Sequence, residues 1–294
     1  MKVFFKVLIY LSLIFLVAYL YRFDYLDVRG LEMDPGFLLL STFFLWAGFF
    51  MSTQSWWKAL KVHDIIVTPK IAIISHGLSV FAKYIPGKVW VILGRASFIS
   101  SNKVVMRNAS YISLKEQLIY VWLGLFIGIG PLLYYYPLNG FVLLVLVLTL
   151  FFSFFLYSKA FHRLVIRLLS FLIRRGLDVP LVTFREVAPL ILYVLSYWLL
   201  WMIAFYFFVY AFKIDFSISI IFAWPLGISL GVLALITPGG IGVREGIMTG
   251  FMILTGMAIE TATTIAILSR LWFISGEIFI FFLSLGLNKF RLRP

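Results

Sequence analysis

Apolar runs near twenty residues long alternate with short polar connections along most of the chain. Six of them, at 4–20, 37–56, 117–135, 138–157, 187–212 and 261–287, have about the length of a helix that crosses hydrocarbon roughly 30 Å thick. Two further apolar regions, 70–100 and 216–257, are interrupted near their centres. The first carries Lys83-Tyr84-Ile85-Pro86-Gly87-Lys88, the second Thr237-Pro238-Gly239-Gly240-Ile241-Gly242. Proline removes a helix donor and clashes with the preceding turn, while glycine admits positive φ. Backbone groups freed at membrane depth must be satisfied by protein or water, so the breaks at Pro86, Gly87, Pro238, Gly239, Gly240 and Gly242 are expected to line a cavity. The pattern predicts an all-α polytopic membrane protein, a single integral membrane domain over 1–294. It would have about six full transmembrane helices and two Pro-Gly-broken re-entrant hairpins.

Charge orients these elements. If both ends of the chain are cytoplasmic, the Lys and Arg residues outside the apolar regions fall inside, apart from Arg22, Arg29 and Lys213. The loop after the first run is acidic, with Asp24, Asp27, Glu32 and Asp34. That asymmetry is the positive-inside pattern of a cytoplasmic (inner or plasma) membrane protein. Lys70 and Lys103 then return region 70–100 to the cytoplasmic side, and Lys213 makes region 216–257 dip from the outer side. Two hairpins from opposite faces would meet near the midplane, an arrangement compatible with an inverted repeat. The alternative is that 216–236 crosses fully and the Gly-rich turn is cytoplasmic. Within the domain, 158–186 reads as a basic amphipathic connector on the cytoplasmic side, either touching anionic lipid or simply obeying the charge rule. Lys2 and Lys6 before the first apolar run resemble a signal peptide. Because 17–22 offers no small-x-small cleavage site, a retained anchor helix is expected.

Composition narrows the chemistry. Hydrophobic residues make up 63% of 294 positions, and charged residues only 13%. The chain has no cysteine, which excludes disulfides and thiolate metal sites, and three scattered histidines make no metal set. No cofactor, metal or nucleic-acid partner is expected. The apolar regions nevertheless hold five cations, Lys83, Lys88, Arg95, Arg244 and Arg270, against two carboxylates, Glu245 and Glu277. A charge at bilayer depth costs about 2.5–3.5 kcal/mol on insertion scales, so such residues imply a cavity and partners. The cationic surplus is what a phosphate-bearing anion would balance.

Lys88 and Arg95 are seven residues apart and share a face if that stretch is helical, ready to reach an anionic head group; both could instead snorkel to the interface. Arg244 and Glu245 open the returning arm of the second hairpin and point about 100° apart, so that one can face substrate and the other a neighbouring helix. Their loop lacks the terminal Gly-Lys-Ser/Thr of a nucleotide-binding loop. Arg270 and Glu277 share a face of the last span, where Glu277 could neutralise an embedded arginine. Glu116 could pair with Lys88 or Arg95, or serve as a helix-end carboxylate. His76 next to Ser75 makes no catalytic arrangement and reads as locally hydrogen-bonded packing. The aromatic residues, Trp56-Trp57 and Tyr134-Tyr135-Tyr136 among them, read mostly as lipid-facing bulk and interface belts.

At Lys83-Tyr84-Ile85-Pro86-Gly87-Lys88-Val89-Trp90 with Arg95, and at Pro238-Gly239-Gly240-Ile241-Gly242-Val243-Arg244-Glu245, the chain resembles the lysylphosphatidylglycerol synthase transmembrane, or flippase-like, family. The resemblance extends over nearly the whole chain. Characterised members translocate an aminoacylated phospholipid, and stand-alone members accompany glycan or lipid biosynthesis. It implies site roles for Lys88, Arg95, Arg244 and Glu245, and a carboxylate at Glu116. There the family commonly has Glu-Arg, where this chain has Glu116-Gln117. Nothing here resembles the aminoacyl-transferase domain, so lipid synthesis is not implied. The expected activity is that of a lipid translocase rather than an enzyme. Lys88, Arg95, Arg244 and Arg270 would bind an anionic phospholipid or polyprenyl-phosphate-linked lipid, with Glu116, Glu245 and Glu277 balancing charge. A membrane-embedded transferase or phosphatase acting on a lipid-linked phosphate, and a scaffold subunit for a glycan- or lipid-biosynthesis enzyme, are the alternatives.

Overall fold

A computed structural model describes residues 32–85, 89–100, 104–173, 184–234 and 237–289. The expected first span, 4–20, and Pro86, Gly87 and Lys88 lie outside these residues. Among the described residues there are ten α-helices, three short 3₁₀ turns and no strand. Five helices are long and apolar enough to span a membrane: α1 Pro35–Val62, α4 Met106–Tyr135, α5 Gly140–Tyr157, α7 (spanning part Val187–Tyr210) and α10 Ile259–Lys289. The others are α2 Pro69–Ser79, α3 Val89–Ile99, α6 Lys159–Ile173, α8 Ala223–Leu233 and α9 Val243–Leu254; α7 as a whole is Phe184–Tyr210. Together these make an all-α, multi-pass membrane protein.

Local chemistry fixes several helix starts. Asp34 caps α1, its carboxylate accepting from the amides of Gly36 at 2.8 Å and Phe37 at 3.3 Å, with Pro35 at the first turn. Thr68 followed by Pro69 opens α2 in the same way, and Asn139 caps α5. The helices α1 and α4 outrun the apolar spans expected at 37–56 and 117–135. Their extra turns carry polar residues, which lengthen a helix without lengthening its hydrophobic stretch.

Contacts between helix ends define two faces. At one, the Asp34 amide donates to Ala211 at 2.8 Å, joining the start of α1 to the end of α7, and Tyr135 of α4 meets Phe251 of α9. At the other, the Trp57 indole donates to Val67 at 3.0 Å and Lys115 lies 3.2 Å from His63, joining the end of α1 to the starts of α2 and α4. The hairpin α2–α3 therefore begins and ends at the second face, and α8–α9 at the first. Their arms of 11 or 12 residues reach about 17–18 Å, half the hydrocarbon thickness. The full crossing by 216–236 does not form, because α9 turns back along α8, with Gly227 against Met248 and Gly231 against Arg244. Lys58, Lys61, Lys70, Arg107, Lys159 and Lys289 lie near helix ends at the second face, while Asp34, Asp215 and Glu260 mark the first.

Glycines let the hairpins seat against the long helices. A Cβ on Gly77 would stand 2.1 Å from the Ser284 hydroxyl oxygen and 2.5 Å from the Ile280 carbonyl. The Ser284 hydroxyl in turn donates to the Ile73 carbonyl at 2.9 Å. Gly77→Ala must push α2 off α10, and the expected cost is about 1–3 kcal/mol of overpacking, read as earlier thermal unfolding in detergent. An unchanged unfolding temperature would show that this seam is loose.

Candidate functional site

The two hairpin tips meet beside α10. Gly239, at φ +59°, sits against the Tyr84 ring, and Arg270 donates from Nη2 to its carbonyl at 3.2 Å. Around this junction is a cavity of about 150 Å³ lined by Arg95, Glu116, Arg244, Arg270 and Glu277, with Lys83, Tyr84, His76 and Gly239. Glu245 stands behind Arg270. The fold thus brings together six of the seven expected charged positions, and Lys88 falls outside the described residues.

Among the described residues three ion pairs organise the charges. Glu277, fully buried in α10, accepts from the Lys83 ammonium through Oε1 and from the Tyr84 hydroxyl through Oε2 at 2.9 Å. Glu245 takes Arg270 on Oε1 at 2.8 Å and the Gly242 amide on Oε2 at 2.7 Å. That second bond closes the first turn of α9, which starts at Gly242 with φ +79°. Glu116 takes Arg95 on Oε2 at 2.6 Å and the Ser55 hydroxyl on Oε1 at 2.9 Å. Such pairs recover at depth part of the cost of taking each ion out of water.

Arg244 is different. It is 4% exposed, yet among the described residues no carboxylate lies within ion-pair range of it. Its Nη2 makes only long contacts to Ser269, 3.5 Å to the carbonyl and 3.4 Å to the hydroxyl, and its Nε has no hydrogen-bond partner. Aromatic faces hold it instead, with Trp224 at 4.7 Å and Phe273 at 5.1 Å from ring centroid to guanidinium carbon. Cation–π contacts in a desolvated site contribute on the order of 2 kcal/mol, less than a buried cation needs. The guanidinium is therefore a desolvated cation held by rings, with no carboxylate among the described residues to balance it.

Several details differ from the reading of the sequence. Glu277 neutralises Lys83 rather than Arg270, because the tip of the first hairpin rests on α10 at that level. Arg270, one face of the helix notwithstanding, turns to Glu245 of the second hairpin. Glu116 pairs with Arg95, one of the two partners its place in the sequence offered. Trp56 is fully buried rather than part of an interface belt; its indole donates to Ser75 at 2.8 Å and its ring lies 5.6 Å from the Arg95 guanidinium. His76 bonds across helices rather than locally, Nε2 to the Ser52 hydroxyl of α1 at 3.3 Å, and it lines the cavity with its buried Nδ1 unpartnered. Ser52, Ser55, Ser269, Trp224 and Phe273 went unmarked in the sequence. The polar run Ser52-Thr53-Gln54-Ser55 inside an apolar span is the signal that was available for two of them.

Among the described residues no group of His, Asp and Glu could hold a metal ion. Compared with known families, the chain matches the model described as the lysylphosphatidylglycerol synthase TM region over residues 3–274. No curated protein and no solved structure matched it.

Proposed function

The chain belongs to the lysylphosphatidylglycerol synthase TM region family, and from that membership and the cavity we propose that it is a lipid translocase. It moves a phosphate-bearing lipid head group between leaflets through the polar space at the hairpin tips, while the acyl or prenyl tails stay in lipid. The observation that carries this reading is Arg244, a cation held by aromatic rings at membrane depth with no carboxylate in ion-pair range among the described residues. A phosphate entering the cavity satisfies that guanidinium, and binding is then favourable where an anion would otherwise be costly. Arg95 and Arg270 extend the electropositive path, with Glu116, Glu245 and Glu277 holding the balance, and Lys88 would join them by its place in the sequence. We read the basic face as the cytoplasmic one by the positive-inside rule, and the proposed location is accordingly the cytoplasmic membrane with both termini inside. The drive comes from the lipid gradient, from its consumption by a glycan- or lipid-biosynthesis enzyme, or from the membrane potential, which is worth about 2.3 kcal/mol per charge per 100 mV.

The test is translocation of a fluorescent anionic phospholipid in proteoliposomes, read by accessibility to a membrane-impermeant quencher. Wild-type protein should move lipid well above protein-free vesicles, and Arg244→Gln should lower the rate at least about tenfold, equivalent to about 1.4 kcal/mol. Relief of the desolvated charge offsets the loss of its aromatic contacts, so the variant should elute and unfold close to wild type. Equal rates for the two proteins would sink the proposal.

A further inference from the structure

One basic, amphipathic element takes no part in the cavity. It is α6, and its position follows from the helix before it. The α5 helix has 18 residues and starts just after the end of α4 at the first face. At 1.5 Å per residue it covers roughly 27 Å, about the thickness of the hydrocarbon. Its far end is tied to α4, where the Trp122 indole donates to the Ser153 hydroxyl at 2.8 Å and the Trp122 ring meets Tyr157 edge-on. The chain therefore reaches a membrane boundary at Tyr157, on the basic face. There it turns instead of running on into water. Ser158 is extended, with ψ 110°, and its hydroxyl accepts from the Phe161 amide at 3.3 Å. The first turn of α6 folds back on α5, with the Phe161 ring 5.6 Å from Phe151 and 6.0 Å from Phe154, and the His162 ring 4.7 Å from Phe155. These contacts hold the start of α6 at the depth where α5 leaves the hydrocarbon.

Away from that seam α6 shows two sectors. Lys159, Arg163 and Arg167 are all exposed, and at four-residue spacing they occupy an arc of about 80°. Arg163 donates from Nε to the Lys159 carbonyl at 3.3 Å, and among the described residues none of the three has a carboxylate in ion-pair range. The sequence offers none nearby, since no Asp or Glu occurs between Glu116 and Asp178. Leu164 and Leu168 are 50% and 54% exposed. They are centred about 120° round from the cations, and about 140° from His162, which is buried against α5. Phe161 joins them to the outer surface of α5, where Phe151 and Phe154 are also exposed. A connector that only supplied positive charge would need the cations, but not two exposed leucines one turn apart beside them.

We propose that α6 is a membrane-docking helix that seats on the anionic lipid surface of the basic face, with Leu164 and Leu168 at the acyl boundary and Lys159, Arg163 and Arg167 on lipid phosphates. The proposal is independent of the translocase reading. The occupant is lipid because α6 starts at the hydrocarbon boundary and its apolar sector runs on from the outer surface of a spanning helix. It is anionic lipid because every charge on α6 is positive. Each cation near an anionic surface raises residence there about fivefold, so the three together favour an anionic over a neutral surface on the order of a hundredfold.

The chain has no cysteine, so a nitroxide can be attached at Leu168→Cys alone in the full protein. The labelled protein is placed in nanodiscs of phosphatidylcholine with phosphatidylglycerol, and of phosphatidylcholine alone. Collisions with oxygen, which concentrates in hydrocarbon, and with a nickel chelate, which stays in water, locate the label. In the anionic discs it should favour oxygen. In the neutral discs nickel access should rise at least about fivefold, and so it should in anionic discs for the added triple change Lys159→Gln, Arg163→Gln and Arg167→Gln. The comparison of the two discs needs no change of charge, and stands even if the triple variant fails to fold. Free nickel access in the anionic discs would overturn the proposal and leave a water-exposed connector. Equal preference for oxygen in both discs would overturn it too, since the seating would then owe nothing to anionic lipid. So would shielding from both reagents, which would place the leucines against protein.

Discussion

Glu245→Ala should be among the most damaging single substitutions in the molecule, with an expected loss of about 3–5 kcal/mol. The carboxylate does two jobs. It neutralises Arg270, which is 2% exposed on α10, and it accepts the Gly242 amide that opens α9. Its removal takes the carboxylate from a buried guanidinium next to Arg244, for which no carboxylate among the described residues lies in ion-pair range, and releases the amide that opens α9. The measurement is thermal unfolding of the detergent-solubilised protein. A second substitution, Arg270→Met, should restore most of the loss, because an apolar side chain of similar length removes the orphaned charge. If the double variant is as unstable as Glu245→Ala, the damage comes from the helix start and not from the charge.

Gly240→Ala should be nearly as severe, for a steric reason. Gly240 has φ +73°, and a Cβ there would lie 2.7 Å from the Gly231 carbonyl oxygen and 2.9 Å from its carbonyl carbon and Cα. No side chain can rotate away, since every obstructing atom is backbone of the facing arm. The left-handed conformation itself costs about 1–2 kcal/mol for an alanine, and separating the arms of the hairpin costs more. The variant should unfold earlier and translocate poorly, because Arg244 and Glu245 follow directly on the displaced turn. Gly246→Ala, where a Cβ meets nothing within 4 Å, is the control and should behave as wild type.

The elements were legible in the sequence because their signals are local. Near-twenty-residue apolar runs mark α4, α5, α7 and α10, and Pro-Gly clusters mark the two breaks. Opposite approach of the hairpins was legible too, from Lys70, Lys103 and Lys213. What could not be read was lateral. Arg270 and Glu277 share a face of one helix, which suggests a common fate, yet each turns to a different hairpin. Nothing at seven-residue spacing says which neighbour packs where. The role of Glu116 depends on α4 standing next to both α1 and α3, and the burial of Trp56 on α1 lying inside the bundle. The Arg244 site follows the same logic. Its aromatic walls come from α8 and α10, and only the assembled fold brings Trp224 and Phe273 to one guanidinium.

The distance along the chain between Lys83 and its partner has a consequence for how the protein is made. Glu277 lies 194 residues downstream, and ribosomes add about 5–20 residues per second. For roughly 10–40 s of synthesis the nascent first hairpin has neither the carboxylate that neutralises Lys83 nor the helix that accepts the Tyr84 hydroxyl. It cannot settle stably at membrane depth until α10 has been inserted, so biogenesis runs with the first-made half of the cavity waiting for the segment that holds it. A nascent chain stalled before residue 277 would leave that lysine unneutralised and hand the membrane's quality-control proteases a defect they can recognise.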